Sequence, residues 1–224
     1  AKQAAHIVLL DSNFASMQAI VKEGRAIIAD IERVSSLYLT KTIYSTALCL
    51  IFAALRMSYP FTPLQLSLIS GLAIGIPSFL LTLERSSVLS SQGFLRHVVS
   101  TALPCALTMI IYMLAIGFVG QWLHFDAKMY STYYFLVAGF ISFLVVFIVC
   151  MPLNRLRMTL ASVITILFYC ILLIMPNFFE IYPLLNWRVI WTIPLCASAV
   201  FVIGLLRKMI HYFMKRYDVY LSHH

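Results

Sequence analysis

Six apolar stretches, at about 36–57, 63–83, 99–121, 132–152, 158–176 and 190–207, hold none of the eight acidic residues of the chain. Each is near the roughly 20 residues that carry a helix across hydrocarbon, where unpaired backbone restricts spanning segments to helices or closed barrels. This pattern predicts an all-α polytopic membrane protein with six transmembrane helices. Composition agrees: 62% of residues are apolar and 11% charged, whereas a soluble domain carries about 25% charged residues. The connections at 58–62 and 153–157 are tight, so the helices they join are expected to be antiparallel neighbours. Segments 85–97 and 208–224 read as polar or amphipathic connections. All five cysteines fall in apolar stretches without C-x-x-C spacing and read as small buried core residues, not metal ligands or disulfides.

Basic residues set the orientation. With the N-terminus placed in the cytoplasm, twelve of the sixteen Lys and Arg lie on that side. Arg56, Lys128 and Arg188 lie outside, and Lys41 falls within the first stretch. This is the positive-inside bias, and it puts Trp122, Trp187 and Trp191 together at the outer interface. The expected location is the cell membrane, multi-pass, with both termini cytoplasmic. The net charge of +8 then follows from topology and anionic lipid. The expected partner is the lipid bilayer and not nucleic acid.

Residues 1–33 are the soluble-looking part. The run 7–10 reads as a short buried strand, and Asp11-Ser12-Asn13 as a helix cap. Phe14, Met17 and Val21 recur at helical spacing up to Gly24, and from Arg25 a helical pattern runs without proline to Pro60. One strand and one helix cannot bury a core, so this segment is expected to be the edge of a larger α/β domain. The chain begins at Ala1 without a signal-peptide pattern, which reads as a fragment or a processed chain.

Two features inside the spans ask for a reason. Lys41 stands beside Thr42 and four residues before Ser45, so one helix face can hold all three. A cation at membrane depth costs about 3 kcal/mol on insertion scales. It either serves an ion pathway or snorkels to the cytoplasmic surface. The second span carries Ser70, Gly71, Ala73, Gly75 and Pro77. Pro77 has no N–H to give to the Ala73 carbonyl, and the glycines loosen the same turn. Broken backbone at this depth is tolerated where it is buried or lines a polar cavity. The competing reading is a Gly-x-x-x-Gly packing face with a proline kink. A hard divalent cation prefers oxygen ligands, usually including carboxylates, and the spans supply none. Coordination would therefore rest on hydroxyls and backbone carbonyls, or on a carboxylate from elsewhere.

The N-terminal residues carry a resemblance. Ala4-Ala5-His6-Ile7-Val8-Leu9-Leu10-Asp11-Ser12-Asn13-Phe14, followed by Lys22-Glu23-Gly24-Arg25-Ala26-Ile27, resembles the point where the phosphorylation domain of P-type cation-transporting ATPases runs into the fifth membrane helix. Pro63-Leu64-Gln65 is similar to the motif that opens that family's sixth helix. Six spans after the phosphorylation domain is the layout of the calcium and sodium/potassium pump classes. The heavy-metal class has two there, and its C-P-C motif is absent. The resemblance implies that residues 1–33 are the end of the phosphorylation (HAD-like) domain and the stalk, 34–83 the ion-pathway helices, 84–207 four supporting spans, and 208–224 a cytoplasmic tail. It implies as partner the missing N-terminal part of the same polypeptide: actuator, nucleotide and phosphorylation domains and the first four helices. Those parts would bind Mg2+ and ATP. The motifs D-K-T-G-T and T-G-D-G-x-x-D are not in this sequence, so the fragment alone is not expected to hydrolyse ATP.

Carried over by position, the family's fifth-helix asparagine and glutamate ligands fall on Thr42 and Ser45. Its sixth-helix asparagine, threonine and aspartate fall on Ser70, Ala73 and Ile74. The carboxylate ligands are thus replaced, and the ion-pathway residues expected are Lys41, Thr42, Ser45, Ser70, Ala73 and Pro77. Lys41 occupies a position where proton/potassium pumps also carry a lysine. A bacterial branch with altered ligands is associated with calcium, which makes Ca2+ the first expectation for the transported cation. The function implied is the membrane portion of an ATP-driven cation pump. A self-contained six-helix channel or secondary transporter, and a non-transporting membrane subunit, remain as alternatives.

Overall fold

The computed structural model describes residues 14–83, 94–151, 154–184 and 186–221. The strand read over residues 7–10 and its cap lie outside the described residues. So does most of the connection at 85–97. Every regular element among the described residues is helical. Six helical segments are long and apolar enough to cross a membrane.

The first helix, α1 (Phe14–Ala54), is a single rod of 41 residues, about 60 Å at 1.5 Å per residue. It runs without a break through Gly24, at whose Cβ position nothing lies within 4 Å. Several of its hydroxyls bond back to its own backbone. Ser36 donates to the Glu32 carbonyl at 2.8 Å, Thr40 to Ser36 at 2.7 Å and Thr42 to Tyr38 at 3.0 Å, the back-bonding that lets Ser and Thr sit in a helix.

The helix stops at Ala54, short of the expected Pro60. Arg56 takes a left-handed φ of 54°. Its N–H donates to the Ala53 carbonyl at 3.2 Å and the Met57 N–H to Phe52 at 2.9 Å, the paired bonds of a Schellman stop. A second long helix, α4 (Phe94–Trp122), ends in the same way at His124, with φ 51° and the bonds His124 to Gln121 and Phe125 to Gly120.

The second span is interrupted. It consists of α2 (Pro63–Ser70), a π-helical turn (Gly71–Gly75) and α3 (Ile76–Leu83). Next in order are α4, α5 (Ala127–Val149) and α6 (Arg155–Ile174). A 3-10 turn (Trp187–Trp191) leads into α7 (Thr192–Leu221). Helix α7 runs on past residue 208 to Leu221, because no proline or glycine follows Gly204 to end it.

The core gathers on α5. Its most apolar stretch is 78% buried, against 28% for α1 and α6 and 22% for the last span, so α5 is the central helix and those three present open faces. Phe135, Phe143 and Phe168 interlock between α5 and α6 at 5.0–5.5 Å between ring centroids. This fit requires Gly139, where a Cβ would stand 2.5 Å from the Phe168 ring.

None of the five cysteines forms a disulfide, but they are not uniformly buried as composition suggests. Cys105 and Cys150 are buried and Cys196 is half-buried, while Cys49 and Cys170 lie on exposed faces. In a bilayer the outward face is as apolar as the core, so hydropathy does not separate the two.

Candidate functional site

The π turn is where the second span meets Lys41. In that turn the Ile76 N–H donates to the Gly71 carbonyl, one residue further back than an α-helix would place it. The shift widens the helix just before Pro77, which is buried and gives the Ala73 carbonyl no N–H. Such π bulges occur often at functional sites. Ser78 tightens the exit of the turn by donating to the Gly75 carbonyl at 3.0 Å. At the Cβ positions of Gly71 and Gly75 the approach is open or ordinary: nothing lies within 4 Å of the first, and the nearest atom to the second is the Ser70 carbonyl oxygen at 3.7 Å. Within this chain the two glycines are not a packing face, and their role is in the backbone of the turn.

Ala73 and Ile74 of this turn line a cavity of about 20 Å³ together with Thr40, Lys41, Tyr44, Cys105 and Ser142. Its volume suits about one water molecule. Four membrane segments converge on it: α1, the π turn, α4 and α5. Lys41 is half-buried and lies 13 positions before Ala54, about 20 Å from the C-terminal end of α1.

The structure brings Lys41 and Ala73 together on the cavity. It sets Thr42 on an exposed face and leaves Ser45 half-buried, its hydroxyl donating to the Thr42 carbonyl at 3.3 Å. Ser70, half-buried, ends α2 one turn from the cavity, and Pro77 follows the turn. Lining residues that were not among the expected ion-pathway residues include Thr40, Tyr44, Cys105 and Ser142. Thr40 and Tyr44 flank Lys41 at helical spacing and were open to discovery from α1 alone. Cys105 and Ser142 reach the cavity only through the packing of α4 and α5.

No acidic residue is among those lining the cavity. Among the described residues no group of three His, Cys, Asp or Glu side chains is placed to hold a metal ion. What the lining offers an ion is the Ser142 hydroxyl, the phenol of Tyr44 and nearby backbone carbonyls, with an ammonium beside them. This is part of an oxygen shell and far short of the six to eight ligands that calcium takes.

Charges collect instead at the two ends of the bundle. Toward the N-terminal half of α1, Asp30 and Arg33 pair at 2.8 Å, and Arg157 at the start of α6 is buried to 3% exposure with Arg33 as an electrostatic neighbour. At the opposite end, Gln65 is wholly buried. Its Oε1 accepts from the Thr62 N–H at 3.2 Å, completing a capping box, while its Nε2 donates to the Ser131 hydroxyl at 2.7 Å and the Phe179 carbonyl at 2.9 Å. One amide thus ties the start of the second span to α5 and to the loop after α6. Beside it lies a wider cavity of about 460 Å³ bordered by Arg56, Tyr59, Gln121, Tyr130 and Glu180.

No family model matches the chain. Individual proteins do. Over 167 residues, 71% of this chain, it is 35% identical to the probable cation-transporting ATPase exp7 of Streptococcus pneumoniae serotype 4, the match covering 22% of that protein. Over 126 residues, 50% of this chain, it is 39% identical to the calcium-transporting ATPase CtpE of Mycolicibacterium smegmatis, covering 16% of it. The CtpE of Mycobacterium tuberculosis matches to the same extent. The chain therefore spans about a fifth or less of the length of these relatives.

Proposed function

We propose that this chain, a homologue of P-type cation-transporting ATPases, is the membrane portion of an ATP-driven cation pump that couples aspartyl-phosphate formation to ion movement. The observation that carries the reading is the π turn beside Lys41, where a broken membrane helix and a cation share a water-sized cavity at membrane depth. Calcium is the cation proposed, on the strength of the names that the relatives carry. Mg2+ and ATP would be bound by soluble domains elsewhere in the polypeptide, upstream of residues 1–33. The N-terminus and the tail are proposed to face the cytoplasm, a reading that the distribution of Lys and Arg supports.

The roles follow from the chemistry of the lining. An ammonium at the cavity repels a second cation and attracts a carboxylate. Lys41 is thus proposed to limit occupancy and to pair with an acid that the rest of the protein supplies. The carbonyls of the π turn, with Ala73 at its centre, and the hydroxyls of Ser70 and Ser142 are the proposed ion contacts from this chain. The exposed faces of α1 and of the interrupted second span are where the remaining membrane helices would complete the shell.

Substituting Lys41→Ala in the intact protein tests this. Ion-stimulated ATP hydrolysis and transport into vesicles should show altered ion affinity and a changed ratio of ions moved to ATP consumed. Unchanged affinity and coupling would mean that Lys41 only snorkels.

A further inference from the structure

A groove at the outer end of the bundle is built unlike the rest of the surface. It encloses about 680 Å³ between the end of α4, the start of α5 and the start of α7. Val119, Leu123 and Leu195 form apolar walls, and Trp187 and Trp191 border it, both more than 60% exposed. Tryptophans of this kind mark the headgroup level of a bilayer, so the groove descends from that level into hydrocarbon.

Its mouth is cationic. Arg188 lines it, and Lys128 stands just outside the lining; both sit over the ring of Tyr182, Lys128 at 5.4 Å and Arg188 at 5.7 Å from its centroid. The Tyr182 hydroxyl donates to Asp126 at 2.7 Å and accepts from Arg188 at 3.4 Å. The phenol is held above its usual pKa chiefly by that bond to Asp126. Asp126 also lines the groove, and its single negative charge stands against Arg188 and the neighbouring Lys128, which leaves this cluster net positive.

We infer that this groove is a phospholipid site: one acyl chain lies between α4 and α7, and a negatively charged headgroup is held by Lys128 and Arg188. Charge complementarity selects the occupant. An apolar peptide segment would fill the walls but leave two cations facing it at the headgroup level, whereas an anionic phospholipid meets both requirements. The site is independent of the ion pathway, because the cavity beside Lys41 and the groove share no lining residue.

Native mass spectrometry of the intact protein, released from nanodiscs containing phosphatidylglycerol and phosphatidylcholine, reads the outcome as retained lipid. Retained phosphatidylglycerol is expected in the unmodified protein. Arg188→Ala should lower retention about fivefold and Arg188→Ala with Lys128→Ala further, since each basic residue near an anionic surface contributes on that scale. Leu195→Trp fills the groove without touching the charges and should also lower it. Arg56→Gly removes an outer cation that lies outside the groove and should leave retention unchanged. The inference is overturned if the unmodified protein retains no phosphatidylglycerol, if Leu195→Trp retains as much as the parent, or if Arg56→Gly lowers retention as far as Arg188→Ala. It is also overturned if phosphatidylcholine is retained equally well.

Discussion

Gln65 offers the sharpest test of how its end of the bundle is held. Replacing it with leucine keeps approximate shape and removes three hydrogen bonds. The Phe179 carbonyl is the buried partner and loses its donor, which costs about 1–3 kcal/mol. The Thr62 N–H and Ser131 hydroxyl are only partly buried and stand beside the 460 Å³ cavity, where water can replace the lost partner. A net destabilisation of about 2 kcal/mol is expected.

Gln65→Glu separates the chemistry from the shape. A carboxylate would face the Phe179 carbonyl oxygen in place of the Nε2 donor, so the folded protein favours the protonated acid and its pKa rises above the usual value near 4.3. The folded state then binds more protons than the unfolded one across that interval. Stability is fully present below about pH 4.3 and falls as pH rises toward the raised folded value. Unfolding midpoints in detergent at pH 5 and pH 8 should show a constant deficit for Gln65→Leu and a growing one for Gln65→Glu. If Gln65→Glu matches the parent at pH 8, the amide is not donating to a dry carbonyl and the reasoning fails.

Two further predictions rest on single contacts. Gly139→Ala should destabilise by about 1–3 kcal/mol, because the new methyl stands 2.5 Å from a Phe168 ring that is already fully buried; a second substitution, Phe168→Leu, should recover part of the loss, and a thermal-unfolding double-mutant cycle measures it. His124→Gly should stabilise, since a non-glycine residue in the left-handed region costs about 1–2 kcal/mol; an unfolding midpoint below that of the parent would show that the imidazole has a compensating contact.

The spans were legible because charge depletion is a direct physical requirement of hydrocarbon, and all six stretches recur as helices. Their ends were less legible. Arg56 and His124 stop helices in a conformation that usually announces itself with glycine, so nothing in the residue types marks them. Thr62-Pro63-Leu64-Gln65 did hold a capping-box pattern, yet the buried amide of Gln65 depends on Ser131 and Phe179, more than 60 residues away. The irregular turn was visible in Gly71, Gly75 and Pro77, whereas its π register is a property of the backbone as a whole. At the cavity, Lys41 stands out by charge, while Ser142 is one serine among many until α5 packs beside α1.

The unbroken length of α1 has a mechanical consequence. Treat its C-terminal end, stopped at Arg56, as a fulcrum. A tilt of about 10° would then sweep the far tip of a rod about 60 Å long through about 10 Å. Lys41, a third of the way along, would travel about 3.5 Å. Moving as a rigid rod, the helix would act as a reducing lever of ratio about three to one, so that a coarse swing at its N-terminal tip would become a displacement of a few ångströms at the cavity.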